Sequence, residues 1–408
     1  MTSSYNVAIL LAALPAVVCG QILTPVWVEA GEGKTIARVV VSHAGDCPEL
    51  RADGVSLPMP LRLPVPEGLR PACEATIPAG TRSASVNGQA LALPPSDPSR
   101  LVVIGDTGCK IKGPLVQDCN DPAKWPFETV AGRAASEKPQ LVIHVGDYLY
   151  REDKCPPGSG KLCAGTPSGD LWEAWDADFF QPAAKLLAAA PWVFARGNHE
   201  ACERSWRGWF YYLDPRPFPA SCQPYSAPYV VKLGRFEAAV LDTSSAIDTP
   251  VNPAQVKTYA SQLASLHVRN AWLVVHNPFW GVRNDRITGK TGPMSPLLDA
   301  AWEKASPRGI ELILSGHTHL FEIIGFDRGR PPQIVAGDGG TYLEEPILAS
   351  MNGMTAHGLT ISASETKHEF GYTVLSKVAT GWNVELKAAS GLPLVTCRIE
   401  GGRVIFPK

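Results

Sequence analysis

Leu141-Val142-Ile143-His144-Val145-Gly146-Asp147-Tyr148-Leu149-Tyr150 is an apolar run that ends at a glycine and is followed at once by a carboxylate and two phenols. The run has the length and branching of a buried strand, and Gly146 marks a sharp turn at its end. Packing a strand needs no Asp at its mouth, and an ionised carboxylate there costs free energy unless it is paired or bound to a cation. The stretch therefore reads as a strand whose C-terminal end grips a metal, against the plainer reading of Gly-Asp as ordinary turn chemistry.

The same punctuation recurs at four other predicted strands. The strand 101–104 runs into Gly105-Asp106-Thr107-Gly108, and the strand 192–195 into Gly197-Asn198-His199-Glu200. The strand 272–275 is followed by His276-Asn277-Pro278, and 312–314 by Gly316-His317-Thr318-His319. Helical patterns over 127–137, 171–189, 253–266 and 296–305 alternate with these strands, the signature of an α/β domain. In such sheets ligands bind at the carboxyl ends of strands. Asp106, Asp147, Tyr150, Asn198, His276, His317 and His319 make a hard-to-borderline donor set suited to iron, manganese or zinc. Seven donors exceed what one ion takes and suit two metals that share a bridging carboxylate.

The flanking sequence is organised around that domain. Residues 21–97 alternate short β-type runs (26–28, 36–42, 61–65 and 84–93) with dense Gly and Pro, as a small β-sandwich does. Pro94-Pro95-Ser96-Asp97-Pro98 reads as a linker, so the expected division is 21–97 and 98–408. After residue 322 the pattern returns to β-type runs. The net charge of -2, without a basic stripe, gives no nucleic acid a surface to hold. Residues 1–20 carry no charged side chain and 7–18 is an apolar core too short to span a bilayer. That is a signal-peptide pattern, with a buried N-terminal element or acylation at Cys19 as the alternatives. Export, periplasmic or secreted, without stable membrane insertion afterwards, is the expectation. Eight cysteines fall into sequential near neighbours, Cys47 with Cys73, Cys109 with Cys119, Cys155 with Cys163 and Cys202 with Cys222, leaving Cys397. No Cys-x-x-Cys occurs, so disulfides in an oxidising compartment are expected rather than a zinc ribbon.

The order and wording of the five strand-end motifs resemble the binuclear metallophosphoesterases of the calcineurin-like superfamily and, within them, the purple acid phosphatases. That pattern is Gly-Asp-x-Gly, Gly-Asp-x-x-Tyr, Gly-Asn-His followed by an acid, a His after a strand, then Gly-His-x-His. All five occur in order between Gly105 and His319, and Gly337-Asp338-Gly339-Gly340 is similar to a further family turn. The resemblance implies a four-layer α/β/β/α fold preceded by the small all-β sandwich. It also implies that Asp106, Tyr150 and His319 hold ferric iron, that Asn198, His276 and His317 hold ferrous iron, zinc or manganese, and that Asp147 bridges. Two such cations bind a phosphate ester, activate water and stabilise the entering and leaving oxygens. A small phosphorylated substrate is the implied partner, and hydrolysis of monoesters at acidic pH the implied reaction. By the same resemblance His199 contacts phosphate or protonates the leaving oxygen, with Glu200 orienting it.

The chain departs from the pattern at two positions. Larger relatives carry a further His about ten residues after the fourth-strand His, where this chain has Arg286, a candidate grip on phosphate oxygens. Glu200 stands where Asp is more usual. These leave monoester against diester choice open, so a phosphodiesterase or nucleotidase is the near alternative and an inactive phosphate-binding protein the remote one. Three of the expected disulfide loops start beside ligand motifs and are expected to brace the rim, each limiting unfolded-chain entropy by at most on the order of 3 kcal/mol. Trp206, Trp209, Phe210, Tyr211 and Tyr212 lie in the third, as core packing or as an aromatic wall.

Overall fold

The structure is a computed structural model that describes residues 21–284, 291–344, 350–356 and 358–407. The expected signal segment and Arg286 lie outside the described residues. Two large sheets stack face to face. The first runs Arg403–Ile405, Pro393–Glu400, Gly381–Ala388, Gly371–Val378, Arg100–Ile104, Leu141–His144, Trp192–Phe194, Trp27–Gly31, Lys34–Val40, Ala72–Ile77. Its centre is parallel, with His144 in register with Ile104 on one side and Phe194 on the other. The second sheet has a parallel core of Phe236–Val240, Ala271–Val274, Ile310–Ser315 and Gln333–Ala336.

Strand alternation explains the layers. Leu101, Val103, Leu141, Ile143 and Val145 face Val240, Val274, Leu314, Ile334 and Ala336 of the second sheet in one dry core. The opposite side chains, Val102, Ile104, Val142 and Phe194, meet the helices Phe127–Ser136 and Gln181–Ala189. On the far side Leu273, Val275 and Ile313 meet Pro253–Ser265 and Pro296–Ala305. The order is helix, sheet, sheet, helix, as expected for an α/β protein of this class.

The long helix expected over 171–189 is interrupted. It passes from Trp172–Trp175 through a π-turn, Asp176–Phe180, into Gln181–Ala189. Pro182 has no N–H to continue the α ladder, and the chain widens just before it. This turn carries Asp178, which matters below.

The strand-rich N-terminal region forms a sandwich in which one sheet is shared. Its small sheet, Val55–Pro58, Glu49–Ala52, Ala84–Val86 and Gln89–Ala90, packs through Leu50, Val86, Val39, Val28 and Ile77 onto Trp27–Gly31, Lys34–Val40 and Ala72–Ile77. Those three strands are also the edge of the first large sheet, joined where Glu29 pairs with Trp192. The strand expected over 61–65 is absent, because Pro60, Pro64 and Pro66 remove ladder donors there. Ala72–Ile77 takes its place in the sheet.

Buried charge fastens this region. Arg38, fully buried, pairs with Glu29 at 3.0 Å and Glu74 at 2.7 Å and donates to the Asp214 carbonyl at 3.1 Å. Arg62 donates to Glu74 and, at 2.9 Å, to the Phe210 carbonyl. Burial pushes Glu29 up to about 8 against the opposing Arg38 charge. All four expected disulfides are present, and Cys397 is free and buried. Among the described residues no helix is long and apolar enough to cross a membrane.

Removing one partner of a buried pair strands the other charge. Arg38→Met is expected to lower stability by about 3–5 kcal/mol in denaturant unfolding. A loss under about 1 kcal/mol would mean that these ion pairs do not fasten the N-terminal strands.

Candidate metal centre

All seven candidate ligands come together at the carboxyl ends of the two sheets. Asp106, Asp147, Tyr150 and Asn198 follow three adjacent strands of the first sheet; His276, His317 and His319 follow two adjacent strands of the second. Cross-sheet hydrogen bonds lock the two groups: His317 N–H donates to Asp106 Oδ2 at 2.9 Å, and His276 Nδ1 sits 2.9 Å from the Val145 carbonyl.

The backbone is bent to permit this. Asp106, Asp147 and His317 have φ of 54°, 61° and 71°, left-handed conformations that non-glycine residues seldom adopt and that cluster at functional sites. Gly146 and Gly197 are required by closeness. A Cβ on Gly146 would meet His276 Nδ1 at 2.5 Å, and one on Gly197 would meet Asp147 Oδ1 at 2.1 Å.

One group of donors converges on Tyr150. Its hydroxyl oxygen is 2.9 Å from Asp106 Oδ1, 2.7 Å from Asp147 Oδ2 and 2.8 Å from His319 Nε2. His319 Nδ1 lies 3.0 Å from the Tyr342 carbonyl, which can only accept. Nδ1 therefore carries the proton of the neutral ring and Nε2 offers a lone pair. Three acceptors thus face a phenol with one hydrogen to give. The second group meets at Asn198, whose Oδ1 is 2.9 Å from His276 Nε2 and 2.8 Å from His317 Nδ1. Asp147 belongs to both, since the same Oδ2 lies 3.2 Å from His276 Nε2. Asp147, His276 and His317 present ligand atoms all within 4.8 Å of one another.

The electrostatics call for positive charge. Asp106 and Asp147 are 0 % and 1 % exposed and, among the described residues, their ion-pair partners are histidines. Burial and the Asp147 charge hold Asp106 well above the usual carboxylate range. Burial and the two carboxylates push Tyr150 well above an ordinary phenol. Burial alone would depress His276, but the Asp147 charge and hydrogen bond outweigh it and raise the imidazole to about 9. The Asp147–His276 contact thus favours positive charge, which a cation would supply equally. The donor types, the fixed His319 tautomer and the buried carboxylates all fit metal ions.

His199 packs against Tyr150, ring centroids 3.7 Å apart and planes tilted by 37°, with its Nε2 3.9 Å from Asp147 Oδ2. Glu200 does not orient it. Glu200 turns away and accepts backbone N–H groups of Asp147 at 3.1 Å, Tyr148 at 2.9 Å, Leu149 at 3.2 Å and Gly197 at 3.0 Å. The residue on His199 Nδ1 is Glu152, which also meets Lys112 at 2.9 Å and Arg204 at 3.6 Å. Burial works against ionising Glu152, but His199 and Arg204 hold it down at about 2. The spacing from Tyr150 to Glu152 gave no sign of this partner.

Asp178, from the π-turn, completes the support. Fully buried, it accepts N–H groups of Tyr150 at 2.8 Å, Arg151 at 3.1 Å and Cys109 at 3.1 Å. The disulfides Cys109–Cys119 and Cys155–Cys163 pack in one cluster with Ile111 beside this turn. The aromatics of the third disulfide loop form no wall at the site; Trp209, Phe210, Tyr211 and Tyr212 are buried in the helix-side core.

Glu200→Gln keeps the shape but turns a carboxylate oxygen into a donor facing N–H groups. Metal affinity is expected to fall about 10- to 100-fold, read by chelator competition. An affinity equal to the unaltered protein would show that this carboxylate does not position Asp147.

Comparison with known proteins agrees with this geometry. A family model for the calcineurin-like phosphoesterases matches residues 99–321, more than half of the chain. No curated protein sequence gives a significant match. The purple acid phosphatase PPD1 of yellow lupin (Lupinus luteus) seeds is similar in fold, with TM-score 0.56 and 15% identity over 94% of this chain and 74% of the lupin chain. The structure of PhoD is similar to the same extent, with TM-score 0.54 and 11% identity over 94% of this chain and 91% of that one. The chain belongs to the calcineurin-like phosphoesterase family and is a metal-dependent phosphoric ester hydrolase.

Proposed function

We propose that the protein hydrolyses small phosphate monoesters at acidic pH with two unlike metal ions. In this reading Asp106, Tyr150 and His319 hold ferric iron, Asn198, His276 and His317 hold ferrous iron, zinc or manganese, and Asp147 is shared. The observation that carries it is the Tyr150 hydroxyl, 2.7 to 2.9 Å from three acceptors at once. One hydrogen serves one of them well. A phenolate beside a trivalent ion serves all, since hard cations favour such oxygen donors.

Paired ions of this kind supply charge neutralisation for the phosphoryl group and an activated water. The chain's own residues do the rest. Asp147 fixes the distance between the two halves. His199, held at Nδ1 by Glu152, turns its Nε2 toward the site and gives a proton to the departing oxygen, as a poor leaving group requires. Glu200 acts through the backbone of 147–149 and touches no substrate.

Residues 98–408 form the catalytic part in this reading, and 21–97 a β buttress on its sheet edge. Four disulfides fit passage into an oxidising compartment, and we place cleavage of an export signal after Gly20.

The oxidised, iron-loaded protein is expected to show a visible phenolate-to-iron charge-transfer band that Tyr150→Phe abolishes. An iron-replete protein without the band, or a band that survives the substitution, would refute the ferric phenolate.

A further inference from the structure

Lys110 follows the first strand-end motif by two residues. Its side chain is half-buried over the metal centre, with Nζ 4.8 Å from the centroid of the Tyr150 ring and 5.9 Å from that of Tyr342. Tyr342 in turn touches His319, ring centroids 5.6 Å apart. Burial works against its ammonium, and the Asp147 and Glu152 charges work for it. A lysine free to choose would extend into water.

The backbone it starts from is fixed. Lys110 N–H donates to Gln117 Oε1 at 3.1 Å, and its carbonyl accepts from Gln117 N–H at 2.8 Å. Gln117, itself buried, donates from Nε2 to the Gly340 carbonyl at 2.9 Å, and its Oε1 also accepts from Tyr342 N–H at 3.1 Å. Cys109 is tied to Cys119 by a disulfide and to Asp178 by its N–H. The backbone of the residue is thus clamped on both sides, and its ammonium faces the centre, where the Asp147 and Glu152 charges attract it.

We propose that Lys110 grips the third non-bridging oxygen of a bound phosphate monoester and thereby sets a preference for monoesters over diesters. This rests on the hydrolase reading above. A phosphate monoester has three non-bridging oxygens, two for the metal side and one left for an ammonium. A diester has two, and its second ester group points at Lys110 without charge to offer. The Tyr150 and Tyr342 rings hold the ammonium in place by cation–π attraction until the anion arrives. A charge-assisted hydrogen bond of this kind is worth roughly ten- to hundredfold in affinity.

The test compares Lys110→Met, which keeps the stem on the two rings, with Lys110→Arg, which keeps the charge. Metal content is measured in each, and inorganic phosphate is titrated calorimetrically onto the metal-loaded proteins. Steady-state rates follow on p-nitrophenyl phosphate and bis(p-nitrophenyl) phosphate. Lys110→Met is expected to lose about tenfold or more in phosphate affinity and in monoester kcat/KM, while the diester changes by less than about threefold. Lys110→Arg should keep most of both. Unchanged phosphate affinity, or an unchanged ratio of monoester to diester rates, would overturn the proposal. If the metal-loaded unaltered protein turned over neither ester, the hydrolase reading itself would fail, and the phosphate titration alone would decide the role of Lys110.

Discussion

The turn 146–151 has to hold a carboxylate and a phenol in the dry space between two sheets, and its own N–H groups would be orphaned there without acceptors. Two buried carboxylates supply them. Glu200 accepts from Asp147, Tyr148 and Leu149; Asp178 accepts from Tyr150 and Arg151. Every residue that projects a ligand from this turn is therefore fixed through its backbone, and the ligand atoms stay free to face the centre. Burial works against charge on both, raising Asp178 and, with the Asp147 charge, pushing Glu200 up to about 8, while the N–H groups that point at them pull the other way. The left-handed φ of Asp147 is tolerable for the same reason: the surroundings over-determine it.

From this turn the fold extends in two directions. Downward, Val145 and Ile143 enter the core between the sheets, which sets where His276, His317 and His319 arrive from the other side. Outward, Asp178 ties the turn to the π-widened helix and so to the aromatic core beneath it. Four candidate ligands come from one sheet and three from the other, so they converge only while the two sheets stay stacked. Asp147 is the atom-scale counterpart of that stacking: a first-sheet residue whose carboxylate meets Tyr150 on one side and the second-sheet His276 on the other.

Much of this was legible in the chain because it is local. A strand that ends in Gly-Asp or Gly-Asn-His announces itself, and five such endings in order point to the fold class and to seven candidate donors, which the structure brings together. What was not legible depends on long-range approach. Glu200 stands beside His199 in sequence, which makes it the expected partner, but a one-turn 3-10 helix, Asn198–Glu200, sends the two side chains opposite ways. Glu152 reaches His199 across a fold contact that no spacing encodes. The edgewise docking of Trp27–Gly31 on Trp192–Phe194 rests on a parallel pairing over a separation far beyond any hairpin signal. One local signal was overlooked: Asp53-Gly54, with φ of 46° and 85°, is a hairpin turn between Glu49–Ala52 and Val55–Pro58.

The sharing of Asp147 between two cations is the claim on which the rest turns, and elemental analysis of dialysed protein tests it directly. Two metal ions per chain are predicted for the unaltered protein, with Asp147→Ala retaining one or none. A single ion per chain before substitution, or two ions held as tightly after it, would contradict a bridging carboxylate.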